Sequence, residues 1–183
     1  YHSLGLKSNG TLWAWGYAVN GALGDGTQTN KSSPVRLGSD SDWVSVATGA
    51  GHSIGIKSNG TLWAWGWTSG GLGDGTTLRR LSPVQIGSDS DWATVSGGYG
   101  HTVGLKTDGT LWAWGKNNDG QLGDSTTADS ILPMQVGIDS DWIAVNAGME
   151  HNLGLKTDGT LWAWGDNFAG GIGDGTTTDS LSP

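Results

Sequence analysis

One seven-residue segment, Gly-Thr-Leu-Trp-Ala-Trp-Gly, occurs four times without change in this chain of 183 residues. The copies begin at residues 10, 60, 109 and 159, and each follows a histidine at the same distance. These histidines, His2, His52, His101 and His151, are spaced 50, 49 and 50 residues apart. A chain that repeats at a fixed period folds as an array of equivalent units, so the repeat constrains the fold more than any other feature.

Each repeat contains four short segments with the pattern of β-strands. In the second repeat, residues 52–58 and 61–66 are alternating segments joined by Asn59-Gly60, which predicts a type I′ hairpin turn with positive φ at both residues. Pro83–Gly87 and Trp92–Gly97 form the third and fourth predicted strands. No segment has useful helical periodicity, and four strands in about 50 residues are typical of a propeller blade. The predicted fold class is therefore all-β, a β-propeller built of four-stranded blades.

The repeated tryptophans lie on one side of their strand. Alternation places both on one face and Leu12, Ala14 and Gly16 on the other. Each sheet thus has a bulky face and a face with small residues. We expect the tryptophans of one blade to fill the space over its neighbour, since a buried aromatic side chain covers about 150–250 Å². A sugar-stacking or light-absorbing array is the alternative.

Several spaced positions carry a family resemblance. Trp114–Asp124, with the sequence WGKNNDGQLGD, and Val95–Lys106, with VSGGYGHTVGLK, resemble the regulator of chromosome condensation repeat family, in register along the whole chain. The resemblance implies a seven-bladed propeller with nearly four repeats present, and the TLWAWG version is similar to bacterial envelope or secreted members. Because the family includes a nucleotide-exchange factor, ubiquitin-ligase subunits, a plant ultraviolet photoreceptor and secreted β-lactamase inhibitors, it does not define a function.

Two of those functions are not favoured by the sequence. The photoreceptor carries Trp and Arg just before the repeat histidine, where this chain has Ala50-Gly51, Tyr99-Gly100 and Met149-Glu150. The exchange factors carry an inserted hairpin wedge, for which the even repeat spacing leaves no room.

The whole chain, 1–183, is predicted to be one repeat array with units at about 2–51, 52–100, 101–150 and 151–183. We expect it to be a segment of a longer array. The alternative is a half-propeller that closes by self-association, because an open array would expose a blade face and unpaired strand edges.

Composition excludes some partners. The net charge is −8 and no basic cluster exceeds Arg79-Arg80, which argues against binding a nucleic-acid backbone. No apolar run is long enough to cross a bilayer. An extracellular or cell-surface location is implied by the family resemblance.

The repeated histidines and aspartates could bind metal ions or have structural roles. Histidines on successive blades stand apart around an axis, whereas zinc needs its ligands within about 2.0–2.3 Å, so we expect them to form structural hydrogen bonds. The repeated carboxylates are predicted to cap turns, with Ca²⁺ binding as the alternative. They are Asp25, Asp74, Asp124 and Asp174, and the pairs Asp40/Asp42, Asp89/Asp91 and Asp139/Asp141.

Ser53 follows His52 and Thr102 follows His101, but neighbours along a strand point to opposite faces and cannot pair. Every candidate catalytic group is also duplicated between repeats. We therefore predict no catalytic residues, no enzyme activity and no cofactor.

The repeats differ mainly in their loops, where recognition tends to reside on a rigid scaffold. We predict a non-catalytic module that binds another protein. Two alternatives are a carbohydrate-binding or adhesive module that uses Trp67 and Phe168, and a regulatory nucleotide-exchange type of propeller. Neutral drift would also explain the loop differences. The predicted partner-binding residues are Tyr17, Trp67, Arg79, Arg80, Tyr99, Met149 and Phe168.

Overall fold

The structure, a computed structural model, describes all residues from Tyr1 to Pro183 and confirms the all-β class. It has one 3-10 turn, at Val19–Gly21, and no helix that is long and apolar enough to span a membrane. The strands are β1 (His2–Leu6), β2 (Leu12–Gly16), β3 (Lys31–Arg36), β4 (Trp43–Thr48), β5 (His52–Lys57), β6 (Leu62–Gly66), β7 (Arg80–Gln85), β8 (Trp92–Gly97), β9 (His101–Lys106), β10 (Leu111–Gly115), β11 (Ser130–Gln135), β12 (Trp142–Ala147), β13 (His151–Lys156) and β14 (Leu161–Gly165).

The strands form four antiparallel sheets, here called blades 1 to 4. Blade 1 is β1-β2-β3, blade 2 is β4-β5-β6-β7, blade 3 is β8-β9-β10-β11 and blade 4 is β12-β13-β14. A further bridge joins Gly165 and Ser180 beside β14. A complete blade therefore begins one strand before its histidine, and combines one strand from one sequence repeat with three from the next. The reason is that only residues 49–51 separate β4 from β5, which favours their pairing as a hairpin.

The hairpin turn differs from the type I′ turn predicted from Asn59-Gly60. Gly60 has a φ of +78°, but Asn59 is not among the residues with positive φ. Gly60 N–H donates to Lys57 O and Lys57 N–H donates to Thr61 O, which describes a type I turn followed by a left-handed glycine. Asn59 instead uses its side chain, whose Oδ1 accepts from Thr61 N–H and Thr61 Oγ1–H.

The bulky face of each blade packs on the aliphatic face of the blade before it, as predicted. Between blades 1 and 2, the core combines Leu12, Ala14, Ala18, Leu23 and Leu37 with Trp43 and Trp65. The next two junctions repeat this pattern. The second tryptophan of each pair, in blades 2 to 4, is fully buried, whereas the first is only partly covered. The buried residues are Trp65, Trp114 and Trp164.

The blades are arranged radially. The first strands of neighbouring blades, β4, β8 and β12, contact one another and form the inner edge of the array, with β1 beside β4. Because adjacent connections alternate between the two ends of an antiparallel sheet, loops 49–51 and 67–79 lie on one face of the array. We call it the histidine face, and the opposite face, with turn 58–61 and connection 86–91, the lysine face.

Candidate functional site

Four of the predicted partner-binding residues meet on the histidine face. Tyr17, Trp67, Tyr99 and Met149 lie there with Tyr1, and we call these five residues the aromatic patch. Tyr99 is 53% exposed and Met149 is 70% exposed, so the patch is open to solvent. Two grooves of about 340 and 280 Å³ cross it, and both are lined by Tyr1, Ala50 and Tyr99.

The floor of the patch is a chain of backbone hydrogen bonds between blades. Ala50 N–H donates to Gly98 O at 3.1 Å, and Tyr99 N–H donates to Met149 O at 2.7 Å. Gly98 cannot be replaced without movement, because a Cβ there would lie 2.2 Å from His101 Cε1. These contacts hold Tyr99 and Met149 on a fixed base.

The loops after each TLWAWG segment provide the rest of the patch. Tyr17 N–H donates to Tyr1 O at 3.0 Å, and the two rings pack edge to face with their centroids 6.4 Å apart. Trp67 N–H makes the equivalent bond, at 3.0 Å, to Gly51 O in blade 2.

Negative charge borders the patch on the side of blade 4. Glu150 binds Lys116 Nζ at 3.0 Å and accepts from Gln121 Nε2 at 2.6 Å. Lys116 Nζ also lies 5.8 Å from the centroid of the Tyr99 ring. Partial burial, with repulsion from Glu150 and other nearby carboxylates, raises the pKa of Asp119 even though Lys116 lowers it.

The repeat histidines form hydrogen bonds between blades, as predicted for a structural role. His2 Nε2 lies 2.7 Å from Ser53 Oγ, and His52 Nε2 lies 3.0 Å from Thr102 Oγ1. Burial, reinforced by the positive charge that His101 and His2 would add, lowers the pKa of His52 to about 3. Burial likewise lowers the pKa of His2 to about 4, so both rings are neutral near pH 7.

The contact between His2 and Ser53 was not foreseen from the sequence, because the two residues are 51 positions apart. Ser53 Oγ–H donates to Ala22 O at 2.8 Å, so His2 Nε2–H must be the donor to Ser53. The histidine therefore does not accept the serine proton in this arrangement. Ser53 is also fully buried.

The other three predicted residues do not join the patch. Arg79 Nη1 donates to Gln28 Oε1 at 2.7 Å, and Arg80 forms an ion pair of 2.6 Å with Asp74 on the outer strand. Phe168 is highly exposed in the loop after β14 and lines neither groove.

The repeated carboxylates have partners within the chain. Asp40 and Asp42 lie 2.6 and 3.3 Å from Lys57 Nζ, and this arrangement recurs in blades 3 and 4. Asp25 Oδ1 accepts from Thr27 N–H at 2.9 Å, as expected of a turn cap. No three potential metal-binding side chains come together.

The radial arrangement of three- and four-stranded blades and their repeated tryptophan cores define a β-propeller array. Models of the regulator of chromosome condensation (RCC1) repeat match residues 9–56, 59–105 and 108–155, and a second model of the repeat matches 43–71, 92–121 and 142–170. The chain belongs to the RCC1 repeat family. No curated protein gave a significant match.

Solved structures show the same fold. Human WBSCR16 is 24% identical with a TM-score of 0.85, and the match covers 100% of this chain and 50% of that one. Yeast RCC1 (Prp20) bound to Kap60 is 20% identical with a TM-score of 0.85, covering 100% and 46%. Prp20p from Saccharomyces cerevisiae is 23% identical with a TM-score of 0.82, covering 98% and 47%. The chain spans about half the length of these proteins.

Proposed function

We propose that this chain is a non-catalytic protein-interaction module that binds a partner protein through the aromatic patch. The observation that carries the proposal is the convergence of Tyr1, Tyr17, Trp67, Tyr99 and Met149 around two joined grooves. Tyrosine, tryptophan and methionine are enriched at protein interfaces, and tyrosine and tryptophan are prominent among the few residues that carry most of the binding energy. The hydrogen-bonded floor would hold them in place before binding and so reduce the entropy that binding costs.

Known relatives support an interaction role. Yeast RCC1 (Prp20) has been solved with Kap60 bound, and Prp20p has been characterised for binding Gsp1p and histones. For the setting, we propose a larger bacterial secreted or cell-surface protein, on the resemblance of the TLWAWG repeats. No metal or cofactor is part of the proposal, because the aspartate pairs are already bridged by lysines.

Carbohydrate binding through the loop aromatics is a weaker candidate. Trp67 and Phe168 lie in equivalent loops of blades 2 and 4, and they line no common groove. No contact within the aromatic patch favours a regulatory nucleotide-exchange role.

The test is an affinity capture from the native source with wild-type chain and the variants Tyr99→Ala, Met149→Ala and Ile138→Ala. Ile138 is a matched control, since it is an exposed aliphatic residue on the opposite face. We expect one protein to be retained by wild type and Ile138→Ala and lost with both patch variants, all four having equal melting temperatures. Equal retention by all four would remove the patch as the binding site.

A further inference from the structure

A second kind of concave site lies at the outer rim, away from the aromatic patch. Between blades 1 and 2, a cleft of about 340 Å³ separates the loop after β2 from the outer strand β7. Its lining includes the rings of Trp43 and Trp63, the carboxylates of Asp25 and Asp40, and Ser82.

The same cleft recurs between blades 3 and 4, with a volume of about 320 Å³. The equivalent residues are Trp142, Trp162, Asp124, Asp139 and Ser182. Two clefts built from the same repeat positions are a property of the repeat and not an accident of one loop.

The junction between blades 2 and 3 differs at one lining position. Leu132 stands there in place of Ser82 and Ser182. Its Cδ2 lies 3.6 Å from the place where a Cβ on Gly75 would stand, so the larger side chain covers this glycine. The chain thus contains its own comparison between a cleft lined by serine and one partly filled by leucine.

The polar groups of the clefts are only partly satisfied. Trp142 is 5% exposed and lines the cleft, yet its indole N–H is buried without a hydrogen-bond partner. The indole N–H of Trp92 is unpaired in the same way at the junction between blades 2 and 3, so this feature does not distinguish the clefts. Asp40 binds Lys57 through Oδ2 and has a half-exposed side chain, so its other oxygen can accept a further hydrogen bond.

The charges select the kind of ligand. Two carboxylates in each cleft disfavour an anion, although Arg36 also lines the cleft between blades 1 and 2. Lysines already paired with Asp40 and Asp139 disfavour a cation. A neutral hydroxyl group can donate to a carboxylate, and in the cleft between blades 1 and 2 it can also accept from the guanidinium of Arg36. An indole ring also offers an apolar surface, and Trp162 is 38% exposed.

We infer that the two rim clefts bind neutral pyranose sugars, with one face of the sugar ring against Trp63 or Trp162 and its hydroxyl groups on the aspartates. This inference is independent of the proposed protein-binding role, because it uses no residue of the aromatic patch. It also differs from carbohydrate binding through Trp67 and Phe168, which lie outside both clefts.

The experiment is isothermal titration calorimetry of the full chain with four neutral oligosaccharides: cellopentaose, chitopentaose, xylopentaose and maltopentaose. We expect at least one of them to bind at two sites per chain, one for each cleft. Ser82→Leu should weaken one site about tenfold or more by filling it, and Ser82→Leu with Ser182→Leu should weaken both. Leu132→Ser should open a third site.

Asp40→Asn and Asp89→Asn form a matched pair, since both remove a lysine partner but only Asp40 lines one of the two clefts. We expect Asp40→Asn, but not Asp89→Asn, to weaken binding about tenfold at the cleft between blades 1 and 2. The two variants should have similar melting temperatures. The inference is overturned if no oligosaccharide binds at millimolar concentration, or if binding survives unchanged in the double leucine variant.

Discussion

His101 Nε2 lies 2.8 Å from Asn152 Oδ1, across the junction between blades 3 and 4. Asn152 Nδ2–H in turn donates to Gln121 O at 2.7 Å, so the amide joins a neutral histidine to the backbone of the preceding blade. Burial lowers the pKa of His101, in spite of the hydrogen bond to Asn152 and the nearby charge of Glu150. Cohesion between blades therefore depends on histidines in the neutral form, whose Nε2–H can donate across the junction.

Acid should weaken the array well above the pH at which carboxylates titrate. The pKa of His52 is about 3 in the folded chain, below the unfolded value of about 6.5, so the unfolded state binds more protons as pH falls. The contribution of His52 to the free energy of unfolding is fully present above about pH 6.5. It decreases by about 1.4 kcal/mol for each pH unit below that value. Urea denaturation at several pH values between 7 and about 4.5 measures the slope, above the range of the aspartates.

His52→Gln is the control for this prediction. The glutamine has no proton to gain in this range, so the variant is expected to lose part of the slope although it is less stable at pH 7. A wild-type free energy of unfolding that stays constant from pH 7 to 4.5 would contradict the prediction.

The two tryptophans of one strand should differ in their contribution to stability. Trp114 is fully buried and its Nε1–H donates to Leu72 O in the preceding blade, whereas Trp112 donates to Thr110 Oγ1 within its own hairpin. Trp114→Phe should cost about 2 kcal/mol or more, because it leaves a carbonyl unpaired and a cavity at the junction. Trp112→Phe should cost less. Equal losses in urea denaturation would show that the junction bond is not important.

Gly98 should be intolerant of a methyl group. A Cβ there would lie 2.2 Å from His101 Cε1 and 2.8 Å from Gly148 O, so Gly98→Ala must displace the base of the aromatic patch. We expect a loss of about 1–3 kcal/mol from overpacking, measured by thermal or urea unfolding. Gly171→Ala is the matched control, since its nearest neighbour would be 3.7 Å away. Similar stabilities for the two variants would refute the steric argument.

The buried lysines should matter more than the exposed one. Lys106 Nζ lies 2.6 Å from Asp89 and 4.4 Å from the centroid of the Trp112 ring. Lys7 is exposed, and its Nζ lies 4.1 Å from the centroid of the Trp13 ring. Lys106→Met should cost about 1–2 kcal/mol more than Lys7→Met, because it removes an ion pair that solvent around the half-exposed aspartates only partly screens. Denaturation at low and high salt measures the difference, and equal costs for the two variants would contradict it.

Much of the fold can be predicted from the sequence, because the alternation of side chains along a strand and the spacing of the strands are local properties. The TLWAWG pattern predicts which face packs on which, and Trp65 in the core between blades 1 and 2 confirms it. The boundary between blades could not be predicted in the same way, since a repeating sequence can be divided into units at any position. The pairing of β4 with β5 depends on the short loop between them and on tertiary packing.

The site was predictable only as a set of separate residues. Tyr17, Trp67, Tyr99 and Met149 are conspicuous because their loops differ between repeats, but their convergence depends on the stacking of four blades. Arg80 is equally conspicuous in sequence, yet its ion pair with Asp74 assigns it to the outer strand. Strand order within the blade would have distinguished the two residues. Tyr99 follows the innermost strand, near the axis, whereas Arg80 begins the outermost strand, at the rim.

The one-strand offset between sequence repeat and blade has a consequence for how such genes change. Because each repeat supplies the first strand of the following sheet, recombination between equivalent codons of two repeats would leave every sheet with its full set of pairings. A chain of this kind can gain or lose one unit of 49 or 50 residues by unequal crossing-over without creating a new type of interface. Four identical TLWAWG segments beside loops that differ are what duplication followed by divergence is expected to leave.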